Sequence, residues 1–473
     1  MTVEVVGRLS TISSAVTGSD SHRRHGRVSD LIGLIVEATG VAAEVGELCH
    51  VDTGRNRPPV PAEVVGFRDG RTLLMPLGEM HGIAPGRAVT ATGEQFQVAV
   101  GSDLLGRAVD ALGRPIDGGA PPVGPRRSTV AAPPDPLERT PIHERVSLGV
   151  RALDALVPCG RGQRLGIFAG SGVGKSSLLG MIARSTSADV NVICLVGERG
   201  REVREFITQS LGPALDHSVV VVATSDQPAL LRIKAAFTAT TIAEHFRDQG
   251  LDVMLMMDSV TRFAMAQREV GLAIGEPPAT RGYTPSVFAL LPKLLERSGT
   301  GALGSITGFY TVLVDGDDMN EPIADAVRSI LDGHVVLSRD LAHMGHYPAV
   351  DVLASISRLE GQVLSPVVRA AGQVLRTLLA AHREKADLIA IGAYQPGGDQ
   401  VVDEAIAKQA PIQAFLRQRP DEPSTAEDAD RELLALTGGA ELMGEVVPAS
   451  EDDIVLPAGE TGPSGIPPLD FGV

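Results

Sequence analysis

The amino-acid sequence predicts an α/β core with a mainly parallel sheet, an N-terminal β-barrel domain and a C-terminal helical domain. Three observations support this prediction. Between about residues 150 and 350, short apolar runs alternate with helical patterns, as in sheets whose strands are buried on both faces and joined by crossover helices. Before this region, short alternating runs are separated by turn residues, and after Arg358 the pattern is helical.

Composition and charge restrict the class of protein. The chain has 473 residues, of which 43% are hydrophobic and 21% charged, so two or three domains with a large core are expected. The formal net charge of −16 argues against a general nucleic-acid binder. The three cysteines fit no disulfide or zinc spacing, and no apolar run approaches the roughly 20 residues of a membrane span. The first residues lack the apolar core of a signal peptide, so we expect a cytoplasmic protein.

The chain begins with a tail and a predicted barrel. Residues 1–24 have two open interpretations: a frayed terminus, or a docking helix that folds on a partner. Residues 25–95 predict the β-barrel domain, because short strand-like runs are separated by turns such as Asp69-Gly70. One of these predicted strands runs from Leu31 to Val36.

The remainder divides into core, helical domain and tail. Residues 96–359 are assigned to a linker and the α/β core, and residues 360–437 to the helical domain, where Ser365 is suited to cap a helix. Residues 438–473 are rich in proline and acidic residues and predict a disordered tail. The apolar runs predicted as core strands are 165–168, 190–196, 219–223, 253–257, 311–314 and 334–337.

A glycine-rich turn after the first core strand predicts a nucleotide site. Its glycines allow the backbone to wrap a phosphate closely, with N–H groups and a helix N-terminus facing the β-phosphate. Lys175 would reach the β- and γ-phosphates, and the Ser176 hydroxyl would complete the shell of a Mg²⁺ ion. The alternatives are a plain strand–helix turn and a dinucleotide fingerprint, whose third glycine is not followed by Lys-Ser. The turn matches the P-loop pattern, except that Ala169 replaces its first glycine, and consists of Ala169, Gly170, Ser171, Gly172, Val173, Gly174, Lys175, Ser176 and Ser177.

Two other strand ends carry side chains suited to phosphate chemistry. Asp258 follows an apolar strand and would hold magnesium through water, although an aspartate there can also be a helix cap. Glu198 ends a neighbouring strand and would orient the attacking water, while Arg199 would face phosphate charge. From the pattern alone, a solvated charged turn is an equal alternative for the last two residues.

Several motifs in one order carry a family resemblance over roughly residues 25–418. The segments that resemble the catalytic β subunit of the rotary ATP synthases are 169–176, 197–199, Asp258 with 262–264, and 347–351. Segments 275–283 and 291–297 are closer to type III secretion ATPases, and 74–77, 391–395 and 403–408 resemble the flagellum-specific export ATPases. This resemblance implies a RecA-type P-loop core within a homo-hexamer.

The resemblance also implies residue roles. Lys175 and Ser176 would bind phosphate and magnesium, and Glu198 would be the catalytic carboxylate. The two arginines expected near the γ-phosphate are Arg199 and Arg262. Tyr347 would stack on adenine, or is alternatively an ordinary half-buried tyrosine. Arg358 matches the arginine that enters the neighbouring subunit's site, or is alternatively a surface arginine.

The resulting hypothesis is an Mg²⁺-dependent ATP hydrolase of the flagellar type III protein export apparatus. It would couple hydrolysis to chaperone release and delivery of unfolded substrates. By resemblance, its partners would be an export-ATPase regulator, stalk proteins, the export gate and chaperone–substrate complexes, without nucleic acid. It would lie in the cytoplasm, at most peripheral to the inner face of the membrane.

Three alternatives remain open for this function. One is the ATPase of a virulence-type secretion system. Another is a non-catalytic nucleotide-binding ring subunit, against which Glu198 argues. The last is a hexameric RNA helicase, whose stacking platform an acidic chain poor in aromatics lacks.

Overall fold

The computed structural model describes residues 25–54, 57–314, 316 and 318–439. The predicted N-terminal tail of residues 1–24 and all but the first two residues of the predicted C-terminal tail lie outside the described residues. Within the described part, no helix has the length and apolar character needed to cross a membrane.

Six strands close an N-terminal barrel in the order β1-β2-β5-β4-β3-β6. The prediction of one strand from Leu31 to Val36 is wrong. The chain turns at Gly33, whose φ of +59° favours glycine, and Ile32 pairs with Ile35 across a hairpin. The run therefore contains the end of one strand and the start of the next. The barrel strands are His25–Ile32 (β1), Ile35–Thr39 (β2), Glu47–Val51 (β3), Val60–Arg68 (β4), Arg71–Pro76 (β5) and Ala88–Gln95 (β6).

A mainly parallel sheet forms the centre of the molecule. Its strand order is β19-β18-β12-β17-β15-β13-β14-β8, with antiparallel β19 at one edge and β16 paired antiparallel to β17. The strands after the barrel are Gln97–Ala99 (β7), Arg107–Asp110 (β8), Arg126–Ser128 (β9), Arg145–Val146 (β10), Cys159–Gly160 (β11), Arg164–Ala169 (β12), Val190–Glu198 (β13), Ser218–Thr224 (β14), Asp252–Asp258 (β15), Gly299–Thr300 (β16), Ser305–Leu313 (β17), Gly333–Leu337 (β18) and Val350–Ser357 (β19). All six predicted core strands are present, although the run predicted at 311–314 begins at Ser305.

Helices cover both faces of the sheet and form the C-terminal domain. Ser365 caps the longest one, accepting a hydrogen bond from the Val368 backbone N–H as predicted. The helices are Arg151–Leu156 (α1), Lys175–Ser185 (α2), Gly200–Glu205 (α3), Ala229–Arg247 (α4), Val260–Ile274 (α5), Pro285–Leu295 (α6), Pro322–Ile330 (α7), Arg339–His343 (α8), Glu360–Val363 (α9), Pro366–Ala390 (α10), Gln400–Ala407 (α11), Gln409–Leu416 (α12) and Ala426–Thr437 (α13). The predicted fold class is therefore confirmed.

The sheet separates two layers of the hydrophobic core. In β15, Leu255 and Met257 pack into the layer formed with α4 and α5, whereas Met254 and Met256 pack into the layer formed with α1 and α2. Alternate residues of a strand point to opposite faces, so burial on both sides makes this strand continuously apolar. The only acidic groups of β15 are consequently at its two ends, Asp252 and Asp258.

Charged contacts fix the helical domain to the core. The Arg151 guanidinium forms an ion pair with Glu422 and donates to the carbonyl oxygens of Phe415 and Arg417, at 3.1 and 2.6 Å. Arg145 binds both carboxylate oxygens of Asp430 at 2.8 Å, the paired geometry that suits a guanidinium. These contacts join α1 and β10 to the segment after α12 and to α13.

Candidate nucleotide site

The predicted P-loop joins β12 to α2 at the carboxyl edge of the sheet. Strand β12 ends at Ala169 and α2 begins at Lys175, as the sequence predicts. Gly172 and Gly174 have φ values of +79° and +88°, which favour glycine over residues with a side chain. Helix α2 therefore presents its N-terminal N–H groups, and the positive end of its dipole, to the space above the loop.

Three charged side chains converge beneath this loop. Glu198 ends β13 and Asp258 ends β15, two strands that are hydrogen-bonded neighbours. The Lys175 Nζ contacts Asp258 Oδ1 and lies 3.8 Å from Glu198 Oε1. All three side chains are nearly buried, so their charges interact more strongly than they would in water.

A cavity of about 510 Å³ opens above these groups. It brings the loop together with Glu198, Arg199 and Arg262, whereas Val173 is buried in the core and contributes its backbone only. The cavity is lined by Ala169, Gly170, Ser171, Gly172, Gly174, Lys175, Ser176, Ser177, Glu198, Arg199, Glu202, Arg262, Leu313 and Val314. Its volume lies in the range of small-molecule sites.

The environment of Glu198 favours the protonated form of its carboxyl group. Burial, followed by the negative charge of Asp258 and a hydrogen bond with the Glu202 carboxyl, raises the pKa of Glu198 to about 7. The positive charges of Lys175 and Arg262 act in the opposite direction and are outweighed. A carboxylate with a pKa near neutrality is suited to proton transfer and to orienting water.

The pKa of Glu198 predicts how the ATP hydrolysis expected from the sequence should depend on pH. Only the ionised form of Glu198 can accept a proton or a strong hydrogen bond from water, and this form is lost as the pH falls through about 7. We expect kcat/KM for ATP to fall between pH 8 and pH 6, in steady-state measurements at saturating Mg²⁺. Substituting Glu202→Gln provides an amide donor to the Glu198 carboxylate, so the midpoint should move to lower pH. Titration of ATP itself affects the parent protein and Glu202→Gln equally, so it cannot cause a difference between them. If the pH profiles of kcat/KM coincide for the two proteins, the assignment to Glu198 is contradicted.

The two arginines near the cavity differ in their contacts. Arg262 Nε lies 3.4 Å from Glu198 Oε1, and no acceptor in the described part of the chain forms a hydrogen bond with this atom. The Arg199 side chain is 74% exposed and pairs with Glu202 at 3.0 Å. Arg262 is therefore held at the carboxylate, while Arg199 lies at the mouth of the cavity.

The ring of Tyr347 lies beside the P-loop. A Cβ atom built on Gly174 would be 3.4 Å from two ring carbons of Tyr347, and 45% of this tyrosine is exposed. The backbone N–H of Gln418 donates to the Tyr347 carbonyl at 3.0 Å. A second cavity of about 390 Å³ shares Ser177 with the first and is lined by Ser177, Arg184, Gln209, Ser210, Pro420 and Asp421.

Arg358 does not join this site within its own chain. It follows β19, whose last residue Ser357 pairs with Gly333 at the start of β18. The Arg358 backbone N–H donates to Asp332 at 3.0 Å, and Asp332 also binds Arg164 at the start of β12. Arg358 therefore lies at the amino edge of the sheet, about 17 Å along β12 from the P-loop at 3.3 Å per residue.

Sequence reasoning missed three residues of this region. Glu202 lies in α3 and lines the cavity, and an acidic residue four positions after the predicted catalytic carboxylate could have indicated it. Thr311 donates to Asp258 Oδ1 at 2.7 Å, but β17 also contains Ser305, Thr307 and Tyr310, so the residue type alone gives no distinctive signal. Gln418 carries no comparable local signal, because its contacts join segments far apart in the sequence.

Three family models match the chain. The nucleotide-binding domain of the ATP synthase alpha/beta family matches residues 149–357, and the beta-barrel domain of the same family matches residues 28–93. The T3SS EscN ATPase C-terminal domain matches residues 364–435. The three matches follow the order of barrel, α/β core and helical domain.

Curated relatives and solved structures match over most of their lengths. The Flagellum-specific ATP synthase of Bacillus subtilis (strain 168) is 56% identical over 89% of this chain and 97% of its own. The Type 3 secretion system ATPase of Xanthomonas euvesicatoria is 50% identical over 88% and 95%. The structure of the assembled ATPase EscN from the enteropathogenic E. coli type III secretion system has a TM-score of 0.82, with 46% identity over 87% of this chain and 100% of that one. A structure of the same ATPase in complex with its central stalk EscO has a TM-score of 0.80, at the same identity and coverages.

Proposed function

Because this chain belongs to the ATP synthase alpha/beta family, alongside flagellum-specific ATP synthases and type 3 secretion system ATPases, we propose that it powers a flagellar type III protein export apparatus. The chain is a nucleotide-binding ATPase with a RecA-type core, as the family resemblance of its sequence predicts. Its coupling to chaperone release and to delivery of unfolded substrates is part of the proposal.

The observation that carries the chemical proposal is the convergence of Lys175, Glu198 and Asp258 at the P-loop. The γ-phosphate of ATP would lie in the cavity above them, with Lys175 and the loop N–H groups against its oxygens. Glu198 would orient the attacking water on the far side of that phosphate and accept its proton. Arg262, held at the Glu198 carboxylate, would meet negative charge that develops on the γ-phosphate oxygens.

The same residues fit a magnesium ion that accompanies ATP. Magnesium prefers oxygen ligands and usually keeps several waters, bound by one or two protein groups together with substrate phosphates. The cavity supplies the Ser176 hydroxyl, and the Asp258 carboxylate, which is only 3% exposed, contacts the P-loop lysine. When bound, the ion would neutralise phosphate charge, while Ser176 would ligate it and Asp258 would hold its water.

The adenine base would lie beside the P-loop, between Tyr347 and the second cavity. Tyr347 lies against Gly174, and its partly exposed ring can stack on a planar base. Ser177, which lines both cavities, would lie between base and phosphates. We propose that Tyr347 forms one wall of the base site and the Gln418–Asp421 segment the other.

Assembly and partners form the next part of the proposal. The assembled EscN structure and its complex with a central stalk support a ring of identical subunits, here a homo-hexamer, around a stalk protein. Arg358 would then act in the neighbouring subunit's site, since it lies at the sheet edge opposite its own P-loop. A regulator, the export gate and chaperone–substrate complexes are the other proposed partners. The proposed location is the cytoplasm, peripheral to the membrane at the export apparatus.

A genetic experiment tests this function. In the bacterium that encodes this chain, deletion of its gene should stop secretion of flagellar subunits and prevent flagellar assembly. Re-expression of the parent chain should restore both, whereas Lys175→Ala should restore neither, because it removes the positive charge at the β- and γ-phosphates. Unchanged flagella together with lost effector secretion would favour the virulence-type alternative, which the 50% identical relative supports. Full restoration by Lys175→Ala would contradict a role for ATP binding.

A further inference from the structure

The Thr311 hydroxyl lies in the buried centre of the sheet, next to the nucleotide site. Thr311 belongs to β17, whose residues are almost all buried, and is itself 0% exposed. Its hydroxyl donates to Asp258 Oδ1 at 2.7 Å. The strand register explains this contact, because Tyr310 pairs with Met257, which places Thr311 opposite the next residue of β15.

The hydrogen bond falls on the same oxygen of Asp258 that Lys175 contacts. Thr311 and Lys175 both bind Oδ1, and within the described part of the chain Oδ2 forms neither a hydrogen bond nor an ion pair. The carboxylate is thus anchored through one oxygen, and the other is available for a ligand. A threonine suits this task because its branched Cβ restricts the side chain to few rotamers.

The two anchors of Oδ1 differ in what happens when ATP binds. Lys175 is the P-loop lysine and would turn toward the phosphates, so its contact with Asp258 would weaken. Thr311 would not turn in this way, because it lies inside the sheet between β12 and β15, where it pairs with Ile167. It is the anchor that remains once the nucleotide is in place.

We propose that Thr311 is a positioning residue that holds the Asp258 carboxylate in the orientation required by the magnesium ion of bound ATP. This inference rests on the proposed role of Asp258. It assigns Thr311 an effect on magnesium binding, beyond its contribution to the stability of the sheet. Groups that orient a metal-binding side chain typically change metal affinity by about 10- to 100-fold when removed.

The test compares variants by the Mg²⁺ dependence of nucleotide binding. Binding of a fluorescent ADP analogue is titrated in EDTA and then at increasing Mg²⁺, with the intact hexameric protein. For Thr311→Val, which removes the hydroxyl, we expect the half-saturating Mg²⁺ concentration to rise by about 10-fold or more, with affinity in EDTA unchanged. Thr311→Ser keeps the hydroxyl donor, so its half-saturating Mg²⁺ concentration should stay within about 2-fold of the parent value. An unchanged Mg²⁺ requirement in Thr311→Val would overturn the proposal.

A matched control separates positioning from stability. Thr307 lies in the same strand, four residues before Thr311, and is 2% exposed. Its hydroxyl accepts a hydrogen bond from the Gly162 N–H at 2.9 Å. Thr307→Val removes a buried hydroxyl of similar kind, so its Tm should fall while its Mg²⁺ requirement stays the same. Equal Mg²⁺ requirements for the two valine variants would mean that Thr311 is structural only. If Thr311→Val does not fold, Thr311→Ala is interpreted by the same criterion.

The role of Asp258 is tested independently. Asp258→Asn should also raise the Mg²⁺ requirement, because it removes the carboxylate charge. If Asp258→Asn has no effect, the proposed magnesium role of Asp258 fails, and the inference about Thr311 fails with it. If Asp258→Asn raises the requirement and Thr311→Val does not, only the inference about Thr311 fails.

Discussion

Replacement of Glu198 by glutamine is expected to lower ATP hydrolysis by about 10²-fold or more and to leave nucleotide binding nearly intact. Glutamine keeps the volume of the side chain but cannot accept a proton from water. The loop N–H groups and Lys175, which would contact the phosphates, are unchanged by this substitution. Single-turnover hydrolysis and equilibrium binding of a fluorescent nucleotide measure the two effects separately.

A control for this substitution lies on the adjoining helix. Glu205 in α3 is 46% exposed and pairs with Arg201 at 2.9 Å, so Glu205→Gln changes charge near the site without touching the cavity. It should hydrolyse ATP close to the parent rate. If Glu198→Gln retained the parent rate as well, Glu198 could not be the residue that activates water, and Glu202 would be the next carboxylate to test.

Substitution of Arg358 by alanine is expected to have the second large effect. A guanidinium that neutralises charge on the γ-phosphate contributes about 10³- to 10⁵-fold in rate in related phosphoryl-transfer enzymes. Arg358 lies at the amino edge of the sheet and is far from its own P-loop, so any such contribution must come from a neighbouring subunit. We therefore expect Arg358→Ala to bind ATP and hydrolyse it poorly. Specific activity of the parent protein should rise with protein concentration, since assembly completes each site.

Mixing two inactive variants provides the decisive measurement for Arg358. When Arg358→Ala and Glu198→Gln subunits assemble together, some interfaces combine an intact Glu198 with an intact Arg358 from the neighbour. Activity should then return in part, with mixed hexamers confirmed by native mass spectrometry. Absence of recovery in confirmed mixed hexamers would contradict action between subunits.

A control variant tests whether the loss at Arg358 is specific. Arg431 is an exposed arginine of α13 that pairs with Asp428 at 3.2 Å. Arg431→Ala should hydrolyse ATP at the parent rate and show the same concentration dependence. Arg358→Lys keeps the positive charge but not the planar fork of donors, and should recover only part of the activity lost in Arg358→Ala.

Features encoded in contiguous residues could be predicted from the sequence. The P-loop combines glycines, Lys175 and Ser176 in one short segment, and its conformation follows from local backbone preferences. The proximity of Glu198 and Asp258 could be predicted, because the carboxyl ends of parallel strands meet at one edge of a sheet. The order of barrel, sheet and helical domain could be predicted, because the spacing of hydrophobic residues along the chain changes from one region to the next.

Features that depend on tertiary contacts could not be predicted in the same way. Thr311 meets Asp258 only through the strand register, and a one-residue shift would point it to the opposite face. The sequence predicts one strand from Leu31 to Val36, because an apolar run does not reveal the turn at Gly33. Strand β19 was not predicted, although it forms the edge of the sheet and precedes Arg358.

The contacts of Gln418 have a consequence for the newly made protein. Its side chain joins Gly149 to Glu422, and its backbone N–H binds Tyr347, so the wall proposed for the base is made from residues near the end of the described chain. Lys175 leaves the ribosome about 240 residues earlier, which at roughly 5–20 residues per second is a delay of about 10 to 50 s. During translation the phosphate loop therefore exists without the base wall. A nascent chain in this state should bind ATP weakly, so tight binding of the nucleotide would begin only after the Gln418–Asp421 segment has packed against Gly149 and Tyr347.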